Sequence, residues 1–230
     1  MIEPYTTKFY GVLPARVDFL KDVYKLPAKK CELLVMGADD DEVDRAGTIE
    51  NQQRIRNELG ISKDDFLIVT GGKIDEWKTQ TLLLMDAVKQ IDNDRIKLLI
   101  FGPVSESIRA KFDESFNEQK MRYISWANTQ QSYDYFAIAD LVAFPGRHSV
   151  YWEQAAGQGK PMICKCWEGT THIDVGGNVR FMKRDDVREI TSIIGDIIYN
   201  RNKYNTMKNV AENKAMHEYS YTSISRKITE

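Results

Sequence analysis

Two lysines, Lys73 and Lys78, lie five positions apart directly after an apolar run that ends in Gly71-Gly72. The glycines let a ligand approach the backbone, and a helix is predicted to begin near Thr79. The N-terminus of a helix carries partial positive charge and unpaired N–H groups, which suit a phosphate. The stretch therefore predicts a diphosphate site, and a plain turn with two solvated lysines also fits the pattern. It matches neither a Walker loop nor a dinucleotide-binding fingerprint.

A second polar stretch begins where another apolar run meets Pro145-Gly146. It carries Arg147, His148 and Ser149 and leads into a predicted helix with Glu153 in its first turn. We expect the loop N–H groups and His148 to face a phosphate and a sugar. Glu153 is expected to accept hydrogen bonds from vicinal hydroxyls of a ribose or sugar. A carboxylate at this position also fits a purely electrostatic role, since it favours the helix dipole.

A third polar loop, Glu168–Asn178, contains His172 and Asp174. These two residues are candidates for an acid–base pair, and a histidine exposed on a surface loop is the alternative interpretation.

Two other groups of residues resemble metal ligands. The run Asp39-Asp40-Asp41 follows a predicted strand, so capping of the next turn or helix accounts for it. Cys164-Lys165-Cys166 fits alternation along a buried strand, and the sequence has no second cysteine pair at zinc spacing. We therefore predict no metal site.

Continuous apolar runs predict buried strands, and helical patterns lie between them. The runs are Cys31–Met36, Phe66–Thr70, Lys97–Phe101, Leu141–Phe144 and Pro161–Cys164, with weaker candidates at Met121–Ile124 and Val179–Phe181. This alternation predicts an α/β fold: a Rossmann-like domain with a mostly parallel sheet of about six strands, covered by helices on both faces. Such sheets bind ligands outside the carboxyl ends of their strands, which is where the polar stretches lie.

The composition excludes several classes of protein. A net charge of −2 offers no basic field for nucleic acid, and the apolar runs are too short to cross a bilayer. The first residues contain no signal-peptide core, and three cysteines form no disulfide framework and are typical of a reducing cytosol. We therefore predict a cytoplasmic protein with no transmembrane segment and no nucleic-acid partner.

The ends of the sequence predict a piece of a larger protein. The first residues are interpreted as a loop and a helix, Pro14 to about Tyr24, with no strand ahead of the helix to pack with it. The last residues begin a helix after Ser220 or Thr222 that stops soon afterwards.

Taken in order, these motifs resemble the C-terminal, donor-binding domain of GT-B glycosyltransferases, specifically the family 4 or group 1 enzymes. Gly72-Lys73 with Lys78 is similar to the family's phosphate-binding pair, with a lysine in the usual place of an arginine. Further similarities lie in Leu34–Asp39, Phe101–Pro103, Ala139–Pro145 and Glu153–Pro161. The resemblance covers nearly the whole chain.

This resemblance implies transfer of a sugar from a UDP- or GDP-linked nucleotide sugar, usually with retained anomeric configuration and without a metal or other cofactor. Lys73 and Lys78 would bind the donor diphosphate and stabilise the departing nucleotide. Glu153 would hold the ribose, and the base would lie against Ser125-Trp126-Ala127. The implied donor site also includes Gly72, His148, Ser149 and Val150, and the implied catalytic residues are Lys73, Lys78 and His148.

The resemblance also implies a division of the chain. Residues 1–26 would be the tail end of an N-terminal half with its linker helix, 27–218 the donor-binding domain, and 219–230 the start of a helix that crosses back. The acceptor-binding N-terminal half is then a missing partner, and we expect this chain alone to bind a donor without transferring its sugar. The complete enzyme would act in polysaccharide biosynthesis, in the cytoplasm or peripherally at the inner membrane.

One departure from the family pattern leaves the function open. Eight positions before Glu153, where the family has the first glutamate of E-x7-E, this sequence has Pro145. The donor sugar and the anomeric outcome therefore stay open. So do two alternative functions: a nucleotide-binding module that serves regulation or assembly, and a sugar-nucleotide epimerase of the same fold that uses His148, His172 and Asp174.

Overall fold

The computed structural model describes residues 2–229, in which strands and helices alternate along the chain. The strands are β1 (Phe9–Gly11), β2 (Cys31–Leu33), β3 (Phe66–Gly71), β4 (Ile96–Phe101), β5 (Met121–Ile124), β6 (Leu141–Phe144), β7 (Met162–Lys165) and β8 (Val179–Met182). The helices are α1 (Pro14–Asp22), α2 (Asp40–Gly47), α3 (Ile49–Glu58), α4 (Gln80–Gln90), α5 (Glu106–Ser115), α6 (Thr129–Ala137), α7 (Tyr151–Gly157), α8 (Val187–Tyr199), α9 (Arg201–Val210), α10 (Met216–Glu218) and α11 (Tyr221–Thr229). A π-helical turn, Ala211–Ala215, joins α9 to α10.

Strands β3 to β8 form one parallel sheet in the order β5-β4-β3-β6-β7-β8, which confirms the predicted fold class. From β3 the chain builds outward through β4 and β5, and then returns to place β6 on the other side of β3. The strand order reverses between β3 and β6. In open α/β sheets, the crevice at the carboxyl ends of two such strands is where ligands bind.

Helices cover both faces of the sheet because successive side chains of a strand point to opposite faces. On one face, Ile68 of β3 belongs to a buried core with Leu84 of α4 and Ile190 of α8. On the other, Leu67 of β3 belongs to a second core with Trp152 of α7. The central strands are thus buried on both sides, as their continuous apolar runs predicted.

The predicted strand Cys31–Met36 is wrong as a member of the main sheet. The strand that forms, β2, ends at Leu33 and pairs with β1 in a separate two-stranded parallel sheet. Only Cys31 of β2 is buried, so its other side chains do not pack as those of a central strand do. Because β1 precedes α1, the expectation that α1 has no strand ahead of it is also wrong. The helix itself matches the prediction to within two residues.

Two predictions about helix termini are confirmed. The Asp39 side chain accepts hydrogen bonds from the backbone N–H groups of Asp41 and Glu42, so it caps α2. The last helix, α11, begins at Tyr221, and the backbone of Tyr221 donates to the carbonyl of Ala38. Within residues 2–229, no helix combines the length and the apolar character needed to cross a membrane.

A partly buried ion pair fixes the start of the two strands that flank the crevice. One oxygen of Asp140, Oδ2, accepts from the backbone N–H of Leu67 and from Arg56, both at 2.8 Å. Asp140→Ala removes the acceptor from both donors, so we expect the free energy of unfolding to fall by about 2 kcal/mol. Chemical denaturation tests this, and Asp140→Asn, which keeps an acceptor for Leu67, should lose less. Equal losses in the two variants would contradict the assigned role.

Candidate functional site

The loops after β3 and β6 enclose a small cleft, about 20 Å³ in volume, at the point where the strand order reverses. Its lining includes Gly71, Gly72, Lys73, Lys78, Thr81, Phe144, Pro145, Gly146, Arg147 and Ser149. The structure thus brings four of the predicted donor-site residues together around one cleft, namely Gly72, Lys73, Lys78 and Ser149. Val150 follows Ser149 on the same loop and is exposed.

Two glycines allow the loops after β3 and β4 to lie directly against each other. Gly72 and Gly102 have φ angles of +115° and +125°, a region that favours glycine. A Cβ atom on Gly102 would lie 2.3 Å from the carbonyl oxygen of Gly72, which is too close for any side chain. This backbone contact holds the Gly72 turn, and with it the floor of the cleft, against β4.

Both lysines of the first stretch reach the Gly72 turn. The Lys73 ammonium pairs with Oδ2 of Asp75 at 3.2 Å, and the Lys73 side chain is 62% exposed. The Lys78 ammonium lies 4.0 Å from the position that a Cβ atom on Gly72 would occupy. Two positive charges, one on an exposed and one on a partly buried side chain, therefore flank a turn that has room for a ligand. Asp75 also accepts from the backbone of Trp77.

The two loops touch across the mouth of the cleft. The guanidinium of Arg147, on the loop after β6, lies 5.4 Å from the ring centre of Trp77, on the loop after β3. A cation over an aromatic face at this distance is attracted to it. The indole N–H of Trp167, after β7, donates to the carbonyl of Gly146 at 3.3 Å. Loops from three neighbouring strands thus support one another around the cleft.

Glu153 lies beneath this loop with its side chain fully buried. Its Oε1 atom lies 2.7 Å from Nε2 of His148 and 3.2 Å from Nε2 of His172. Burial acts to raise the pKa of Glu153, but the hydrogen bonds from His148 and His172 outweigh it, and the pKa is lowered from its ordinary value. Within residues 2–229, neither Oε2 of Glu153 nor Nδ1 of His172 has a hydrogen-bond partner, although both atoms are buried.

The predicted pairing of His172 with Asp174 is wrong, because His172 contacts Glu153 instead. Oδ1 of Asp174 accepts from the backbone N–H groups of Gly176 and Gly177 and closes a turn. The contact between Glu153 and His172 was missed, although a signal for it existed. Strands β6 and β7 are neighbours, so the loops that follow them meet at one edge of the sheet.

The segment predicted to hold the base follows β5 at the edge of the sheet. Trp126 is 70% exposed there, and Asn128 opens α6 with a capping box. Because β4 separates β5 from β3, Ser125-Trp126-Ala127 lies to one side of the cleft and does not line it. Its contact with a base stays a prediction.

One cluster has the composition of a metal site. The ligand atoms of His148, Glu153 and His172 all lie within 4.8 Å of one another. Two imidazoles and a carboxylate suit zinc and similar metals. Within the described part of the chain, Cys164 and Cys166 are free thiols and belong to no such cluster.

Comparison with known proteins identifies the class. Residues 51–164 match the family described as glycosyl transferases group 1. The matched segment runs from α3 through most of β7 and contains both loops of the cleft. No match was found among curated protein sequences.

Solved structures show the same fold. The chain is similar to HepE from Anabaena, solved in complex with UDP and glucose, with a TM-score of 0.76 and 17% identity over 99% of this chain and 63% of that one. A glycosyltransferase from Rickettsia africae gives a TM-score of 0.79 and 14% identity over 99% of this chain and 65% of that one. The UDP-GlcNAc 2-epimerase from Neisseria meningitidis, bound to UDP-GlcNAc, gives 0.71 and 11% over 99% and 61%.

These likenesses establish the fold as a Rossmann-like half of the GT-B type. The chain spans less than two thirds of the length of each of these three structures.

Proposed function

We propose that this chain binds a nucleoside diphosphate sugar in the cleft between the loops after β3 and β6, as the donor-binding part of a group 1 glycosyltransferase that passes the sugar to an acceptor. The observation that carries the proposal is the position of Lys73 and Lys78. Both flank a glycine turn at the carboxyl end of β3, beside the reversal of strand order. Two ammonium groups there complement a diphosphate and the charge that develops as it departs.

The complexes of similar proteins support this choice of ligand. HepE was solved with UDP, and the Neisseria epimerase with UDP-GlcNAc. A comparison of UDP, GDP, ADP and CMP by thermal shift tests the proposal and selects the base. We expect stabilisation by at least one diphosphate, with less or none from CMP, which lacks the second phosphate. Absence of a shift with every diphosphate would contradict the proposal.

In this proposal Glu153 accepts hydrogen bonds from the ribose. Oε1 already contacts two histidines, so Oε2 is the atom that a ribose hydroxyl would use. Glu153→Gln is expected to weaken UDP binding about ten- to a hundredfold, because hydrogen bonds to a charged group contribute about 1.5–3 kcal/mol. Pyrophosphate, which has no ribose, should lose far less. Titration calorimetry of both ligands decides, and equal losses would mean that the carboxylate only supports the loop.

A second candidate, epimerisation of a nucleotide sugar, is supported by one observation. His148 and His172, two groups capable of acid–base chemistry, lie side by side with their ring centres 6.0 Å apart. Incubation of the chain with UDP-GlcNAc, followed by separation of the C2 epimers, tests this candidate. Formation of the epimer would favour it over transfer, and unchanged UDP-GlcNAc would remove it for this substrate.

A further inference from the structure

Two histidines from different loops hold one carboxylate oxygen. His148 lies on the loop that leads from β6 into α7, and His172 lies on a helical turn, Thr171–Ile173, after β7. Their Nε2 atoms lie 2.7 and 3.2 Å from the same atom, Oε1 of Glu153. Trp152 packs edge-on against His148, with ring centres 5.0 Å apart, and limits its rotation. Two histidines on different loops therefore contact the same carboxylate.

The surroundings of His172 decide where its proton lies. Nδ1 is buried and has no partner among residues 2–229, so a proton there would be a buried donor without an acceptor. When the His172 ring carries a single proton, that proton therefore lies on Nε2. An ionised carboxylate only accepts hydrogen bonds, so His148 and His172 both donate to Oε1 through Nε2.

We propose that His148 and His172 are positioning residues, which bind Oε1 of Glu153, fix the carboxylate and leave Oε2 to accept a ribose hydroxyl. The inference rests on the proposed function, because it assigns to Glu153 a ribose ligand. His172 contacts Oε1 of Glu153 from the loop after β7, so its effect on the ligand is transmitted through Glu153. Oε2 is buried and has no hydrogen-bond partner among residues 2–229, so it is an acceptor left free for a hydroxyl.

The spacing of the three groups favours hydrogen bonds over a bound metal. Separations of 2.7 and 3.2 Å between nitrogen and oxygen are those of direct hydrogen bonds. Tetrahedral ligand atoms about 2.0–2.2 Å from a zinc ion are about 3.4 Å apart, so the 2.7 Å contact between His148 and Glu153 would have to lengthen to bind one. Stoichiometric binding of a metal by these three groups would therefore contradict the positioning role.

The arrangement has a consequence for pH dependence. A glutamate whose pKa is lowered keeps its charge as the pH falls, and its contact with a ligand is lost only below that lowered pKa. Burial raises the pKa of Glu153, and the hydrogen bonds from the histidines lower it. Removal of one histidine donor should therefore raise the pKa of Glu153. The contact should then be lost at a higher pH than in the wild-type chain.

Other titratable groups also surround the carboxylate of Glu153. Burial raises the pKa of Cys164, on β7, and of Tyr219, before α11, so both stay protonated at neutral and acidic pH. Asp174 lies on the same loop as His172 and caps a turn through its carboxylate.

Nitrogen NMR of the histidine rings in the ligand-free chain tests the geometry without any nucleotide. We expect the His172 ring to carry a proton on Nε2, and the Nε2–H signals of His148 and His172 to shift in Glu153→Gln. A His172 ring protonated on Nδ1 alone would overturn the proposal. This measurement uses the wild-type fold and therefore does not depend on whether a histidine variant folds.

Calorimetry with UDP and pyrophosphate tests the consequence for binding. His172→Phe keeps the ring shape but cannot donate, and we expect about a tenfold loss in UDP affinity with pyrophosphate changed less than about twofold. His172→Gln, which can donate from a similar position, should recover most of the affinity. His217→Phe, a change of an exposed histidine on α10, should leave both ligands unaffected.

The pH profile separates positioning from general support of the fold. As the pH is lowered, the ratio of UDP to pyrophosphate affinity should begin to fall at a higher pH in His172→Phe than in the wild-type chain. A ratio with the same profile in both proteins would overturn the proposal. Stoichiometric binding of Zn²⁺ alone that disappears in His172→Phe would also overturn it, since the three groups would then be metal ligands.

The proposed function and the positioning role of the histidines can be contradicted separately. If the wild-type chain binds neither UDP nor any other nucleoside diphosphate, the proposed function is wrong. If the wild-type chain binds UDP and His172→Phe binds it equally well, only the positioning role is wrong.

Discussion

Replacing both Lys73 and Lys78 by alanine is expected to weaken UDP binding by about a hundredfold or more. Each lysine is proposed to make a charge-assisted contact with the diphosphate, and each such contact contributes about 1.5–3 kcal/mol. Every 1.4 kcal/mol corresponds to about a factor of ten in affinity. Asp75 already pairs with Lys73, so the net contribution of Lys73 to binding is reduced by the loss of this ion pair. Isothermal titration calorimetry with UDP measures the effect.

The matched control for this variant is Lys63→Ala. Lys63 is also exposed and positively charged, but it lies beside Arg56 and Asp140 near the amino ends of the strands, opposite the cleft. Its removal changes the net charge without touching the cleft, so UDP affinity should stay within about twofold of wild type at moderate salt. Added salt should lower the UDP affinity of the wild-type chain more than that of the double variant. Equal affinity in the wild type and the double variant would remove the phosphate assignment.

Gly102→Ala is expected to lower the free energy of unfolding by about 3 kcal/mol or more and to abolish measurable UDP binding. The new Cβ atom would lie 2.3 Å from the carbonyl oxygen of Gly72, at a φ of +125° that side chains rarely adopt. The clash pushes the Gly72 turn away from β4, and that turn carries Lys73 into the cleft. Thermal or chemical denaturation measures the loss of stability, and calorimetry measures the loss of binding.

Gly177→Ala separates strain of the backbone from the clash. Gly177 has a similar φ of +114°, but an added Cβ atom would meet no atom within 4 Å among the residues that the structure describes. In Gly177→Ala the free energy of unfolding should therefore fall by about 1–2 kcal/mol, from the unfavourable backbone conformation alone, and UDP binding should stay intact. A loss of stability in Gly177→Ala as large as that in Gly102→Ala would contradict the role of the contact between Gly102 and Gly72.

The central sheet could be predicted from the sequence because its strands are buried on both faces. Runs such as Leu98-Leu99-Ile100 have no polar side to confuse with a helix or a loop, and the runs of β3, β4 and β6 end at a glycine or proline turn. The small sheet of β1 and β2 could not be predicted in the same way. Half of its residues are exposed, so the position of β2 depends on contacts with a distant segment.

The candidate site was predictable to the level of loops but not of contacts. The turn after β3 and the loop after β6 were identified from glycine, proline and charged residues, and they do meet at one cleft. The turn of Glu153 toward His148 and His172 was not predicted. It depends on which neighbouring loop approaches closely, and His172 is separated from Glu153 by a whole strand. Local spacing carries no information about that distance.

Mapping of UDP onto the chain by amide NMR tests the central claim most directly. Titration of the ¹⁵N-labelled protein should shift the amide signals of Gly72, Lys73 and Lys78 after β3, and those of Arg147 and Ser149 after β6, in proportion to a single binding isotherm. Amides around Lys63, near the amino ends of the strands, should stay unchanged. Shifts confined to the amino ends of the strands, or no shifts at saturating UDP, would contradict the assignment of the cleft as a nucleotide-sugar site.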